Sequence, residues 1–272
     1  MIEVIKVESK KNVKDFVMFP FELYKDCEYW VPPIINEEID AMDTNKNPVF
    51  KNAEAEFYLA YKDNKIVGRV AAIVNWVEIE EQKKNKLRFG WYDTIDDIDV
   101  SKALMEKVLE FGKSRKLEFV DGPVGFSNMD KAGLLIEGYD ELNTMITWYH
   151  YPYQKEHLNK LGFSKLAEWV EYKIKIFSAE KAPEKVKKFS KIIQKRYNLK
   201  VVNFKSTKEI IPYVDKMFEL LNVTYSNLQT YVTIKQYQID FYKEKFIKYI
   251  HPDFIKCCLD ENDNLIAFLI TM

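Results

Sequence analysis

The residues with the most chemistry to offer lie between positions 122 and 153. A segment over 122–140 follows an apolar strand signal at 117–120 and holds four of the chain's eight glycines, Gly122, Gly125, Gly133 and Gly138. Ser127, Asn128 and Asp130 are its convergent polar side chains, with Gly125 and Gly133 on either side where backbone can approach a bound group closely. Ligands of open α/β sheets sit beyond the carboxyl ends of the strands, so these three residues are the first substrate-binding candidates. The plainer reading is a tight turn in which Asn128 and Asp130 satisfy local amides. Tyr149, Tyr151 and Tyr153 alternate at period two, which puts three hydroxyls on one face of an extended segment, either lining a pocket or packing across strands. His150 and His157 have no Cys or carboxylate at ligand spacing, so no metal site is expected, and His251 before Pro252 is expected to be exposed. Gly125-Phe126-Ser127-Asn128 does not form a nucleophile elbow, and the chain has neither a P-loop nor a G-x-G-x-x-G turn. The chemistry on offer is polar binding and orientation; no catalytic residue is assigned.

Those residues need a sheet behind them. Positions 2–7 alternate like a short strand, and 10–24 place Val13, Phe16, Val17, Phe21 and Tyr24 at helical spacing, with Pro20 expected to kink or divide the helix. Strands at 56–61 and 66–74 meet at Asp63-Asn64-Lys65 and read as a hairpin. A short charged helix is predicted over 76–85 and a strand over 87–94. Asp99 then caps a helix whose Leu104, Val108 and Phe111 face inward. After the core strand at 117–120 and the glycine-rich segment come a short helix over 154–161 ended by Gly162 and a long final strand over 164–177.

From there the chain repeats itself. Sliding the N-terminus forward until Ser9 falls on Ser206 lays residues 2–8 on 199–205 and Phe21-Glu22-Leu23 on Phe218-Glu219-Leu220. The hairpin around 63–70 recurs at 262–269 after a two-residue change of offset. The predicted organisation is a first domain over 1–177, a linker with a helix over 178–198, and the N-terminal half of a second domain over 199–272.

The order strand, helices, hairpin, strand, helix, strand, helix, long strand resembles the acyltransferase fold of the GNAT superfamily. So do the hairpin Glu56-Phe57-Tyr58-Leu59-Ala60-Tyr61-Lys62-Asp63-Asn64-Lys65-Ile66-Val67-Gly68-Arg69 and the ending His157-Leu158-Asn159-Lys160-Leu161-Gly162-Phe163. Gly122-Pro123-x-Gly125-Phe126-x-x-x-Asp130-x-x-Gly133 and Glu137-Gly138-Tyr139-Asp140 are similar to segments of bacterial tandem-GNAT proteins of unassigned substrate. The resemblance implies an α/β fold of α+β type: a twisted mixed sheet flanked by helices, followed by a partial second GNAT-like unit. It implies acyl transfer from acetyl-CoA or another acyl-CoA to an amine in the intact protein. Two departures qualify this for the first unit. The [QR]-x-x-G-x-[GA] turn that cradles the cofactor's pyrophosphate in the family is replaced by Ile95-Asp96-Asp97-Ile98-Asp99-Val100-Ser101-Lys102, whose carboxylates repel phosphate. Leu158 stands where the family has a tyrosine acid. The first unit is therefore expected to serve as substrate-binding or structural partner, and this chain to bind no cofactor. The alternatives are a non-catalytic scaffolding protein and an aminoacyl transferase using charged tRNA.

Composition bounds the partners. The chain has 272 residues, 47% of them hydrophobic, with 41 basic against 42 acidic residues, so it offers no long-range field for nucleic acid or anionic lipid. Three cysteines, two of them adjacent, suit a reducing compartment, and the N-terminus carries no signal-peptide pattern, so a cytoplasmic location with no membrane partner is expected. A homodimer through the incomplete second unit is a further expectation. One local patch departs from neutrality: Lys185, Lys187, Lys188, Lys191, Lys195, Arg196 and Lys200 stand over an apolar stripe of Val186, Phe189, Ile193 and Tyr197. It reads as a solvated helix whose stripe docks on the first unit, in preference to a tRNA contact.

Overall fold

The computed structural model describes residues 1–144, 146–175, 178 and 181–271, the side chain of Lys248 apart. They form two compact units: Met1–Trp169 with Gln229–Val232, and Val170–Leu228 with Thr233–Met272. Among the described residues no helix is long and apolar enough to cross a membrane, and no group of three or more His, Cys, Asp or Glu is placed to hold a metal ion.

The first unit runs β1 (Ile2–Lys6), α1 (Lys10–Leu23), α2 (Ile35–Met42), β2 (Ala53–Lys62), β3 (Lys65–Asn75), β4 (Lys86–Thr94), α3 (Ile98–Ser114), β5 (Phe119–Asp121) and α4 (Pro152–Lys160). Its strands form one sheet in the order β1-β2-β3-β4-β5, antiparallel up to β4 and parallel between β4 and β5. This is the mixed sheet flanked by helices that the sequence predicts. The hairpin turns where Asp63 and Asn64 both take positive φ, 51° and 61°, the backbone of the tight turns that match strand twist. Alternation along β2 and β3 feeds two cores. Tyr58, Val70 and Ala72 pack with Leu104 and Val108 on the α3 side; Phe57, Leu59, Ala71 and Ile73 pack with Phe16 and Val17 on the α1 side.

Several elements differ from expectation for local reasons. Asp97, extended at φ −147°, caps α3 by accepting the Asp99 amide at 3.0 Å, so the cap lies two residues before the predicted one. The charged segment after β3 makes a single π turn, Val77–Glu81, and α1 runs on through Pro20. No strand forms over 164–175, a stretch punctuated by Lys165, Glu168, Glu171, Lys173 and Lys175 and largely exposed; residues 176 and 177 lie outside the described residues. The β4–β5 ladder covers three pairs and ends at Asp121, after which Val124 still donates its amide to Phe89 at 2.8 Å.

The second unit holds α5 (Glu184–Arg196), β6 (Lys200–Asn203), α6 (Thr207–Tyr225), α7 (Gln236–Phe246), β7 (Ile255–Leu259) and β8 (Leu265–Ile270). Its three strands pair antiparallel in the order β6-β7-β8 around a core of Phe204, Ile210, Val214, Met217 and Ile255, the same order and antiparallel pairing as β1-β2-β3.

Candidate functional site

The site rests on a change of phase in β4. Arg69, Ala71 and Ile73 of β3 face the α1 side, and their partners Gly90 and Arg88 on β4 face the same way. Strict alternation from Arg88 and Gly90 would send Trp91 and Asp93 to the α3 side. Instead the register shifts between Arg69 and Ala71, where two β4 residues oppose one of β3. Trp91 takes φ 48°, rare for a bulky side chain, and turns its ring into the α1-side core, while Tyr92 packs into the other. Asp93 thereby comes to face Arg69.

The two form a buried ion pair, Arg69 Nε donating to Asp93 Oδ2 at 2.7 Å with side-chain exposures of 4% and 6%. Such a pair is tolerable only if the remaining polar atoms are also partnered. Arg69 Nη1 donates to the Phe16 carbonyl at 2.9 Å and the Tyr24 hydroxyl donates to Asp93 Oδ1 at 2.7 Å. Burial, and then the Asp93 charge, hold the Tyr24 hydroxyl well above its ordinary pKa, so it stays a donor.

Above this floor is a pocket with about 10 Å³ open to the centre of a water molecule, room for one water-sized group. Tyr24, Trp30, Trp148 and Tyr149 wall it, and Glu38 and Lys131 bring opposite charges to its edge. Glu38 is oriented by the Trp91 indole, which donates to its carboxylate at 2.6 Å. The Lys131 ammonium has no hydrogen bond or ion pair among the described residues, and desolvation lowers its pKa against the pull of Glu38. His150 lies buried close by with Nδ1 accepting the Leu135 amide at 3.3 Å; burial drives its pKa down to about 4, which makes it a neutral imidazole.

The sequence-predicted residues divide. Tyr149 lines the pocket and donates to the Tyr139 carbonyl at 2.9 Å. Tyr151 packs on Tyr24 with ring centroids 5.1 Å apart, and Tyr153, on α4, stacks on Tyr151 and donates to the Thr94 carbonyl at 2.7 Å. The three cluster, although the segment is no strand: Pro152 opens α4 between them. Ser127, Asn128 and Asp130 do not line the pocket. Asp130 accepts the Ser127 amide at 2.9 Å and Ser127 Oγ accepts the Met129 amide at 3.2 Å, both within the turn, whereas Asn128 donates to the distant Val232 carbonyl at 3.2 Å. Burial raises Asp130 to about 6. The loop's contribution to the pocket is Lys131, for which the one sequence signal is a lone cation ahead of the apolar run Leu134-Leu135-Ile136. Arg69, Asp93 and Glu38 carry no sequence signal of their own.

The N-terminus of α3 shows whether the first unit can hold a cofactor pyrophosphate. Asp97 takes the Asp99 amide for itself and pairs with Lys62 at 2.8 Å, and Asp96 lies 3.3 Å from His157. Carboxylates therefore fill the place an anion would take, and these residues do not fit the group. His157 Nδ1 lies 2.9 Å from Ser101 Oγ, but Ser101 is fully buried and accepts a hydrogen bond from the Tyr92 hydroxyl at 2.8 Å, so this Ser-His-Asp contact is a structural chain with its serine closed to substrate.

No family model matches the chain. It is 26% identical over 249 residues to protein YghO of Escherichia coli (strain K12), spanning 90% of this chain and 61% of that protein. It is 25% identical over 174 residues to a bacterial ceramide synthase of Caulobacter vibrioides, spanning 63% of this chain and 45% of that protein. The chain thus spans less than two thirds of the length of these curated relatives. Among solved structures it is similar to a tandem GNAT protein from the clavulanic acid biosynthesis pathway, at a TM-score of 0.48 and 9% identity over 98% of this chain and 73% of that one. It is likewise similar to a predicted acetyltransferase with acetyl-CoA from Clostridium acetobutylicum, at a TM-score of 0.41 and 14% identity over 64% of this chain and 96% of that one.

Proposed function

From a chain similar in sequence to a ceramide synthase and built on a GNAT-like sheet, we propose a part of an N-acyltransferase whose first unit holds the amine acceptor. The observation that carries this is the water-sized pocket over the Arg69–Asp93 pair. A primary ammonium group is the size of a water molecule. Trp30, Trp148, Tyr24 and Tyr149 offer it aromatic faces, and Glu38 and Asp93 offer it negative charge. Desolvation lowers the pKa of Lys131, the direction that eases the approach of a second cation. The rest of the substrate would lie outside so small a pocket. Ceramide is an amino alcohol acylated on nitrogen, so a long-chain amino alcohol is the acceptor class the relative suggests.

In this reading acyl-CoA serves the whole protein, and the first unit orients the amine and excludes water around it. The acid-filled N-terminus of α3 supports a division of labour between the two units, and equally the second reading, a binding module without catalysis. Titration tests the acceptor role. A long-chain amino alcohol added to this chain should quench the Trp30 and Trp148 fluorescence saturably, and Glu38→Gln should weaken binding about tenfold, ~1.4 kcal/mol. Calorimetry with acetyl-CoA should show weak or no binding to this chain. Failure of amines to bind would remove the acceptor role; micromolar acetyl-CoA binding would overturn the account of the α3 terminus.

A further inference from the structure

A second surface, on α5, has no part in the pocket. The helix presents six basic residues against the single acid Glu184, and Glu184 is already paired with Lys187 at 2.9 Å. At 100° per residue, Lys187, Lys188, Lys191 and Lys195 fall on one face, and Val186, Phe189, Ile193 and Tyr197 on the opposite one. The four apolar side chains are 59%, 52%, 47% and 56% exposed, and Ile192 is 47% exposed. Two bases border the stripe and lean over its rings: Lys185 Nζ lies 5.9 Å from the centre of Phe189 and the Arg196 guanidinium 5.4 Å from that of Tyr197. This is how long cationic side chains snorkel, with stems on apolar surface and charges held out.

We infer that α5 is a binding surface for an anionic lipid bilayer, lying in the plane of the interface with Val186, Phe189, Ile193 and Tyr197 sunk among the acyl chains. The charge complementarity is local: the chain as a whole is at −1, while this helix alone is strongly positive, so the attraction acts only within a Debye length of a negative surface. An apolar stripe of this size distinguishes a bilayer from RNA, whose phosphates use the bases and leave the stripe in water. A helix of 13 residues this rich in lysine lies on a membrane and does not cross it.

The experiment is vesicle flotation with the 272-residue chain, using pure phosphatidylcholine and phosphatidylcholine with 30% phosphatidylglycerol, at low and high salt. The expected result is binding to the anionic vesicles about tenfold or more tighter than to the neutral ones, reduced by salt. Phe189→Ser with Ile193→Ser should abolish it, and Lys187→Glu with Lys191→Glu should weaken it at least tenfold. All four side chains are partly or largely exposed, so circular dichroism melts should match the parent's. Four outcomes overturn the inference. One is absence of binding to anionic vesicles. Another is binding that survives loss of Phe189 and Ile193. The third is a concentration-dependent dimer in gel filtration that the Phe189→Ser, Ile193→Ser change dissolves, which would assign the stripe to a second copy of the chain. RNA binding with no vesicle binding overturns it equally.

Discussion

Two buried titratable residues near the pocket pull stability in opposite directions with pH. His150 titrates at about 4 in the folded chain against an ordinary 6.5, so between those values the unfolded chain takes up a proton that the folded chain refuses. Its contribution is present above 6.5 and about 3 kcal/mol is withdrawn as pH falls to 4. Asp130 titrates at about 6 against an ordinary 3.8, so the folded chain keeps a proton that the unfolded chain releases. Its contribution is present below 3.8 and is lost, by a similar amount, as pH rises through 6. Urea midpoints should therefore change little between pH 4 and 6 on account of this pair. His150→Gln should make stability fall as pH rises across that window, and Asp130→Asn should make it climb. Parallel profiles for both variants and the parent would refute the assignment. The ion pair beneath the pocket gives a second test: Arg69→Met leaves Asp93 buried and uncompensated and should cost about 3–5 kcal/mol, while adding Asp93→Leu should recover part of the loss. These residues are hidden in the sequence. Arg69, Asp93 and Glu38 each stand among unrelated neighbours and meet only through strand pairing and a helix crossing. Ser127, Asn128 and Asp130 lie outside the pocket's lining, and glycine-flanked polar residues look the same in a sequence whether they bind a ligand or their own turn.

Elements are more legible, because periodicity survives what single positions do not. The hairpin is readable from its alternation and from Asp63-Asn64, residues that tolerate positive φ; replacing Asn64 with Gly should stabilise the chain by up to ~1 kcal/mol in thermal melts. The glycines that seat the 122–124 segment against β4 are a different case. A Cβ on Gly90 would stand 2.6 Å from the Val124 carbonyl oxygen, which is backbone and cannot step aside, so Gly90→Ala should cost about 1–3 kcal/mol. Where expectation and structure part, pairing is the reason. The stretch 164–175 alternates without laddering to any neighbour, and a strand exists only with a partner. Likewise Asp99 has the look of a cap because it stands at the head of the apolar period, whereas Asp97 has the extended backbone that a cap requires.

At the scale of the whole chain, each unit closes around its own apolar core, and β6-β7-β8 has the order and antiparallel pairing of β1-β2-β3. Scanning calorimetry should accordingly show more than one transition, with Leu104→Ala lowering one and Ile210→Ala another, each by the roughly 2–5 kcal/mol of a fully buried aliphatic side chain. A single transition moved equally by both variants would mean the units melt together. The extra residue in β4 matters on the same scale. A pleated strand carries an odd-even code, and one inserted letter inverts the parity of everything downstream. Deleting Trp91 would restore uninterrupted alternation with Gly90 and Asp93 still on one face, so Asp93 would keep facing Arg69, and what the pocket would lose is the indole that orients Glu38. For the same reason, related chains aligned here without a one-letter gap would match Asp93 to residues of the opposite face, and the carboxylate would look dispensable in the very proteins that share it.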